Sequence, residues 1–115
     1  MSYNIHISKY FAKEAKRLAK KYPSFKQDYA DFLDNLREEP LQGVELTSGI
    51  RKIRMALKSK GRGKSGGARV ITYNIIAEQQ NGVIVLLLIY DKADYSSVDV
   101  DILKDIVRAE GYDLE

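Results

Sequence analysis

At 115 residues the chain is expected to form one domain, 1–115, large enough to bury a core without metal or disulfide help. It has no cysteine, which excludes disulfides, thiol catalysis and thiolate metal sites and fits a reducing compartment. The net charge is only +3, yet eight basic residues between Leu46 and Ala77 meet no acid, while from Asp91 onward eight acids face three bases. The middle of the chain should therefore present an electropositive surface of the kind polyanions recognise, the alternative being an ordinary solvated run of charge.

The opening MSYNIHISKYF turns charged and amphipathic at once, unlike a signal peptide. The longest apolar run, Val83 to Tyr90, has eight residues, against the roughly twenty of a membrane helix. A soluble, cytoplasmic domain with no membrane partner is expected. Tyr3, Ile5 and Ile7 alternate with Asn4 and His6, predicting a short strand. Ser8 is placed to cap a helix in which Phe11, Ala15, Leu18 and Tyr22 share a face. Pro23 separates it from a second helix, with Ser24 and Gln27 as a capping box and Phe25, Tyr29, Phe32, Leu33 and Leu36 as its stripe, ending before Pro40.

After a loop around Gly43 the period changes to two. In IRKIRMALK, Ile53, Met55 and Leu57 fall on one face, and Lys52, Arg54 and Lys58 on the other. Residues 68 to 77 and 82 to 90 read as two further strands joined at Asn81-Gly82. GVIVLLLIY is apolar on both faces, which suits a covered central strand. Ser96 and Ser97 then offer a cap, Asp99 and Asp101 suit a helix start, and Ile102, Leu103, Ile106 and Val107 make a last helix that Gly111 can end. The expected order is β-α-α-β-β-β-α, an α+β domain with a mainly antiparallel sheet and helices on one face.

Between the third- and second-last strands lies KSKGRGKSGG, whose GRGKS looks like a phosphate loop. Such a loop needs a glycine where Lys58 stands and a helix after it, whereas Gly66 and Gly67 lead into the β-branched ARVITYNII. No nucleotide cofactor is expected, and the segment reads as a basic connection between two strands. The single histidine, His6, sits among apolar neighbours and is expected to be structural, so a Ser-His-acid set has no support. The C-terminal acids are spaced like a solvated helix start, not like a hard-cation site, so no metal is expected.

What remains is a cationic strand face with Lys52 and Arg54, beside a strand that begins with Arg69 and carries Tyr73, and a third that ends in Tyr90 and Lys92. Arginine forks can hold a phosphodiester, and tyrosines can stack on exposed bases, which suits single-stranded RNA. The same cations could stabilise the phosphorane formed when a 2′-OH attacks the adjacent phosphate. Tyr73 packing beneath the sheet and Arg69 pairing with an acid are the plainer alternatives.

The segments RKIRM, GKSGGARVITY and IVLLLIYDKADYSSV, with the helical hairpin before them and a short helix after, resemble the RelE/HigB-like toxins of bacterial type II toxin-antitoxin systems. The resemblance covers essentially the whole chain. It implies a RelE/ParE-like fold, a ribosome-dependent mRNA endonuclease that inhibits translation without a cofactor, and a cognate antitoxin encoded beside it. It places Lys52 and Arg54 where these toxins keep paired cations, and Arg69 where they keep the arginine that steadies the scissile phosphate. Where relatives have an arginine after the position of Lys92 this chain has Ala93, and where they have a tyrosine further on it has Val98 or Asp99. Tyr90, Lys92 or Tyr95 could take that role, and spacing does not choose among them. Lys58, Lys60, Arg62 and Lys64 are expected to grip ribosomal RNA, with Tyr73 against the message. The alternatives are a ParE-like inhibitor of DNA gyrase and a non-catalytic RNA- or protein-binding module.

Overall fold

The computed structural model describes residues 2–61, 63, 66–78 and 81–113. In chain order it contains β1 (Ser2–Ile7), α1 (Lys9–Lys21), α2 (Phe25–Glu38), β2 (Val44–Thr47), β3 (Ile50–Met55), a 3₁₀ turn (Lys58–Lys60), β4 (Ala68–Glu78), β5 (Asn81–Asp91) and α3 (Val100–Ala109). Among the described residues the strands form one mixed sheet in the order β1-β5-β4-β3-β2. β1 runs parallel to β5, and every other neighbouring pair is antiparallel. The class is α+β, as the alternation of periods predicts. Among the described residues no helix is long and apolar enough to cross a membrane.

Two expectations about the architecture are corrected. The segment after Gly43 is not a loop: it forms the edge strand β2, whose Thr47 pairs with Ile50. The reversal places Gly49 at φ 80°, where a side chain would be strained and a Cβ would sit 3.0 Å from the Tyr73 ring. Nor do the helices share one face. Phe11 and Leu18 of α1 and Phe25, Phe32 and Leu36 of α2 pack on Ile53, Met55, Val70, Ile84, Leu86 and Ile89. Leu103 and Val107 of α3 instead meet Ile50, Ile71, Val85 and Leu87. A strand that is apolar on both faces needs cover on both, and α3 supplies the second layer.

A bulge in β5 sets which side chains point where. Ile71 pairs with Leu88 but Thr72 pairs with Leu86, so Leu87 is an extra residue in the strand. Leu87 and Leu88 both join the α3 side, while Ile84, Leu86 and Ile89 face the hairpin. Without that slip Tyr90 would keep the phase of Ile84 and Leu86 and point into the hairpin side; with it, Tyr90 faces the α3 side. Ser8 Oγ donates to the Leu87 carbonyl at the bulge at 2.6 Å and caps α1 by accepting from Phe11 N–H at 3.0 Å. Ser8→Ala is expected to lower stability by about 1–2 kcal/mol in urea unfolding, because one buried hydroxyl serves both a cap and a bulge.

Local signals differ in three places. Ser24 stands at the start of α2, yet its hydroxyl donates to Asp28 Oδ2 at 2.6 Å and Gln27 donates to Asp31 Oδ1 at 2.8 Å, so the capping box does not form. The carboxylate one turn inside the helix is the stronger acceptor for that hydroxyl. The cap of α3 is Asp99, which accepts from Asp101 N–H at 2.8 Å, instead of Ser96 or Ser97. Asn81 and Gly82 are strand residues paired with Glu78 and Ile76, and the connection falls on 79–80, outside the described residues. Gly111, at φ 89°, ends α3 as expected.

Candidate nucleic-acid interface

The pleat of β3 sends Ile53 and Met55 into the hairpin core and leaves Lys52 and Arg54 on the opposite face with Ile50. Ile50 is covered by the α3 layer. Beyond it, the ends of three strands bring the predicted residues into one row. Arg54 pairs across β3–β4 with Arg69, and Arg69 pairs across β4–β5 with Tyr90. Lys52, two residues back, lies opposite Ile71. A groove of about 560 Å³ opens at the two arginines of this row, lined by Lys52, Arg54, Arg69 and Lys92 together with Gln42, Val44 and Ser96, and among the described residues no carboxylate lines it.

Arg69 is 6% exposed, and its Nη1 donates to the Ala68 carbonyl at 3.2 Å. Tyr90 beside it is 2% exposed, and its hydroxyl is buried with no hydrogen-bond partner among the described residues. Burial pushes the Tyr90 phenol above its ordinary pKa, and the charge on Arg69 opposes this. The ring of Tyr95 stands edge-on to that of Tyr90, 5.9 Å away at 89°, and Tyr95 itself is 57% exposed. Lys92 is exposed, its backbone N–H donating to the Gly67 carbonyl at 3.1 Å. That contact draws β5 to the glycine pair before β4. A Cβ on Gly67 would lie 2.2 Å from the Met55 carbonyl and 2.9 Å from Leu57 N. Gly67→Ala is therefore expected to shift these backbones and lower stability by about 1–3 kcal/mol, read by thermal unfolding.

Not every predicted cation reaches this groove. Lys60 turns inward: it is 13% exposed, and its Nζ lies 2.7 Å from Oδ1 of the fully buried Asp91 and 5.8 Å from the centre of the Tyr22 ring. Asp91 also accepts from the Tyr22 hydroxyl and, at 3.0 Å, from the Ala93 N–H, with Lys21 at 4.0 Å. Burial works against ionisation of Asp91, but Lys60, Tyr22 and Ala93 outweigh it and hold the carboxyl down at about 2. The reciprocal bond to Asp91 pushes the Tyr22 phenol up to about 12. The hub joins the end of α1, the 3₁₀ turn and the end of β5, next to Tyr90. Sequence reading missed it, because Asp91 and its partners Lys60 and Tyr22 are 31 and 69 residues apart.

Lys58 is exposed and within 3.7 Å of Asp31 Oδ2, on the α2 side of β3. Arg62 and Lys64 lie outside the described residues. Tyr73 is drawn to the other end of the sheet, where its hydroxyl donates to the Asp113 carbonyl at 3.0 Å and its ring meets Tyr112 edge-on. His6 Nδ1 is 3.0 Å from the Tyr112 hydroxyl on that same side. Ser96 and Gln42, which line the groove, carried no signal for it in the sequence: Ser96 read only as a helix cap, and an isolated glutamine in a loop is ordinary. Among the described residues no three His, Asp or Glu side chains stand where they could hold a metal ion.

No family model matches the chain.

A strip of two arginines edged by two lysines, backed by the buried Tyr90 and among the described residues free of carboxylates, can take a polyanion along its length. The arginines offer planar forks for phosphate oxygens, while the lysines act as point charges.

Proposed function

We propose that the chain is the toxin of a type II toxin-antitoxin system with a RelE/ParE-like fold, acting as a ribosome-dependent endoribonuclease on mRNA. The observation that carries this reading is the row Arg54–Arg69–Tyr90 across three adjacent strands, whose two arginines open into a groove lined by four cations and, among the described residues, by no acid. The 2′-oxygen attacks the adjacent phosphorus, its proton passes to a base, and the bond to the 5′-oxygen breaks as that oxygen takes up a proton. The products are a 2′,3′-cyclic phosphate and a 5′-hydroxyl. Arg54 and Arg69 hold the non-bridging oxygens and stabilise the charge that builds on them. Lys52 and Lys92 hold the flanking backbone or assist proton transfer. Tyr90, kept protonated by burial, suits donation to the leaving oxygen better than abstraction from the 2′-OH, and that donation requires RNA binding to uncover its buried hydroxyl.

Tyr90→Phe discriminates this role from packing. Its hydroxyl has no partner to lose, so the variant is expected to unfold at the same urea concentration as the wild type or slightly above it. A fall in cleavage of about 10²-fold or more would then belong to proton transfer. The reading as a whole is tested by end-mapping an mRNA in a translation extract, with and without ribosomes, for wild type and Arg69→Ala. Ribosome-dependent ends that vanish in the variant support it. An uncut message with normal translation overturns it.

A second reading, a binding module without catalysis, is favoured by one feature. Ala93 stands beside Lys92 and leaves the groove without a further arginine there. On that reading the groove binds RNA or protein, and Arg69→Ala weakens binding with no cleavage to lose. Acidic segments of an antitoxin would cover the same strip, protecting Lys52 and Lys92 from amine labelling in the complex.

A further inference from the structure

We propose that the cleft between α2 and the end of β3 is a nucleobase pocket, seating one unstacked, amino-bearing base of the bound RNA while Arg54 holds its phosphate. The proposal rests on the RNA reading of the groove and adds to it a second, separate cleft.

The cleft has a volume of about 290 Å³, the size of a small-ligand site. Phe32 of α2 and Met55 and Ala56 at the exit of β3 give it apolar walls, and Asp28 and Asn35 supply polar groups from the same helix face. Arg54 and Gln42 line this cleft and the cationic groove alike, so the two share a border. Gln42 is held there by bonds from its Nε2 to Asn35 Oδ1 at 2.9 Å and to the Glu39 carbonyl at 3.0 Å.

Asp28 points to the ligand class. It is 4% exposed, and its Oδ2 accepts from Ser24 Oγ at 2.6 Å and from Lys58 N–H at 3.0 Å. Oδ1 of the same carboxylate is buried with no hydrogen-bond partner among the described residues. A buried carboxylate oxygen left without a donor is unfavourable, and a ligand N–H relieves it. The cleft thus combines an unsatisfied acceptor, apolar walls suited to a flat ring, and a cation at Arg54, while Lys58 is opposed by Asp31, which also lines the cleft. A nucleotide carries the complement: N–H donors, an apolar ring face and an anion. Adenine, guanine and cytosine offer an amino group, whereas the single N3–H of uracil is flanked by two carbonyls that a carboxylate repels. Contacts to phosphate position a strand without reading it, so such a pocket would give the groove its base preference.

The test uses the isotope-labelled full chain without ribosomes, so that it does not depend on cleavage. GMP, AMP, CMP and UMP are titrated while backbone amide shifts are followed. The expected result is shifts at Phe32, Asn35, Met55 and Ala56 with the three amino-bearing nucleotides, and binding of UMP weaker by about tenfold. Asp28→Asn should erase the discrimination. Because that change also touches the Lys58 and Ser24 bonds, Ala56→Leu serves as a second variant that fills the cleft from a partly exposed position and should abolish the pocket shifts. Equal binding of UMP, or binding unchanged by Ala56→Leu, overturns the proposal. Shifts confined to Lys52, Arg69 and Lys92 also overturn it, while leaving the groove and its proposed reaction intact.

Discussion

If the chain cleaves mRNA as proposed, Arg54→Ala is expected to slow that ribosome-dependent cleavage by about 10²- to 10³-fold while leaving the unfolding midpoint within experimental error of wild type. The two halves of that expectation come from different observations. Arg54 is exposed on its strand, so truncation removes little packing. It stands directly across the ladder from Arg69, so its charge is lost from the middle of the row. Loss of a preorganised donor aimed at a developing negative charge typically has that size. Arg54→Lys keeps the charge without the planar fork and should recover only part of the rate. Arg69→Ala is the harsher variant, since its side chain is buried, and it needs a stability measurement beside the assay. Cleavage unchanged in Arg54→Ala would remove this arginine from the chemistry and leave it as a surface cation.

Lys60→Met is expected to lower stability by about 3 kcal/mol, the low end of what breaking a buried ion pair costs. It would leave the Asp91 carboxylate fully buried without its 2.7 Å partner. The Tyr22 hydroxyl and the Ala93 N–H would still bond to that carboxylate, which keeps the loss from being larger. The pH dependence follows from the same hub. The folded pKa of Asp91 is depressed to about 2 from an ordinary 3.8. Its stabilising contribution is therefore present above about pH 4 and is lost as pH falls toward 2. The folded pKa of Tyr22 is raised to about 12 from 10.0, so its contribution is present below about pH 10 and lost as pH rises toward 12. Urea midpoints measured from pH 2 to 12 should show a plateau between these limits, and in Lys60→Met the fall between about pH 4 and 2 should become shallower, because the folded pKa of Asp91 moves back toward 3.8. An acid-side fall as steep as that of the wild type would mean that Lys60 contributes little to holding Asp91 ionised.

Both predictions concern residues that the sequence marks equally as cations in one basic run. Lys52 and Arg54 were legible as groove residues because a strand alternates strictly, and Ile53 and Met55 are needed on the other side. Lys60 was not, since a turn has no such period and its partner lies on a distant strand. Tyr73 and Arg69 share a strand, yet only Arg69 lies in the groove, because the C-terminal segment meets Tyr73 through Tyr112 and Asp113. Tyr90 depends on the single extra residue at Leu87. An apolar run on both faces does not reveal where its phase slips, so the bulge could not be read from GVIVLLLIY.

The sequence by itself determined the elements with strong periods or clear punctuation: β1, both helices of the hairpin, the cationic face of β3, the two long strands and the last helix with its glycine stop. These follow from local rules of alternation and helix periodicity that each segment obeys alone. Tertiary structure alone decided that Val44–Thr47 pairs as an edge strand and that α3 covers the face opposite the hairpin. It alone turned Tyr90 toward Arg69 and buried Lys60 against Asp91. Each of those outcomes is a choice between neighbours far apart in the chain, made by which apolar faces remain to be covered and which buried charge needs a partner.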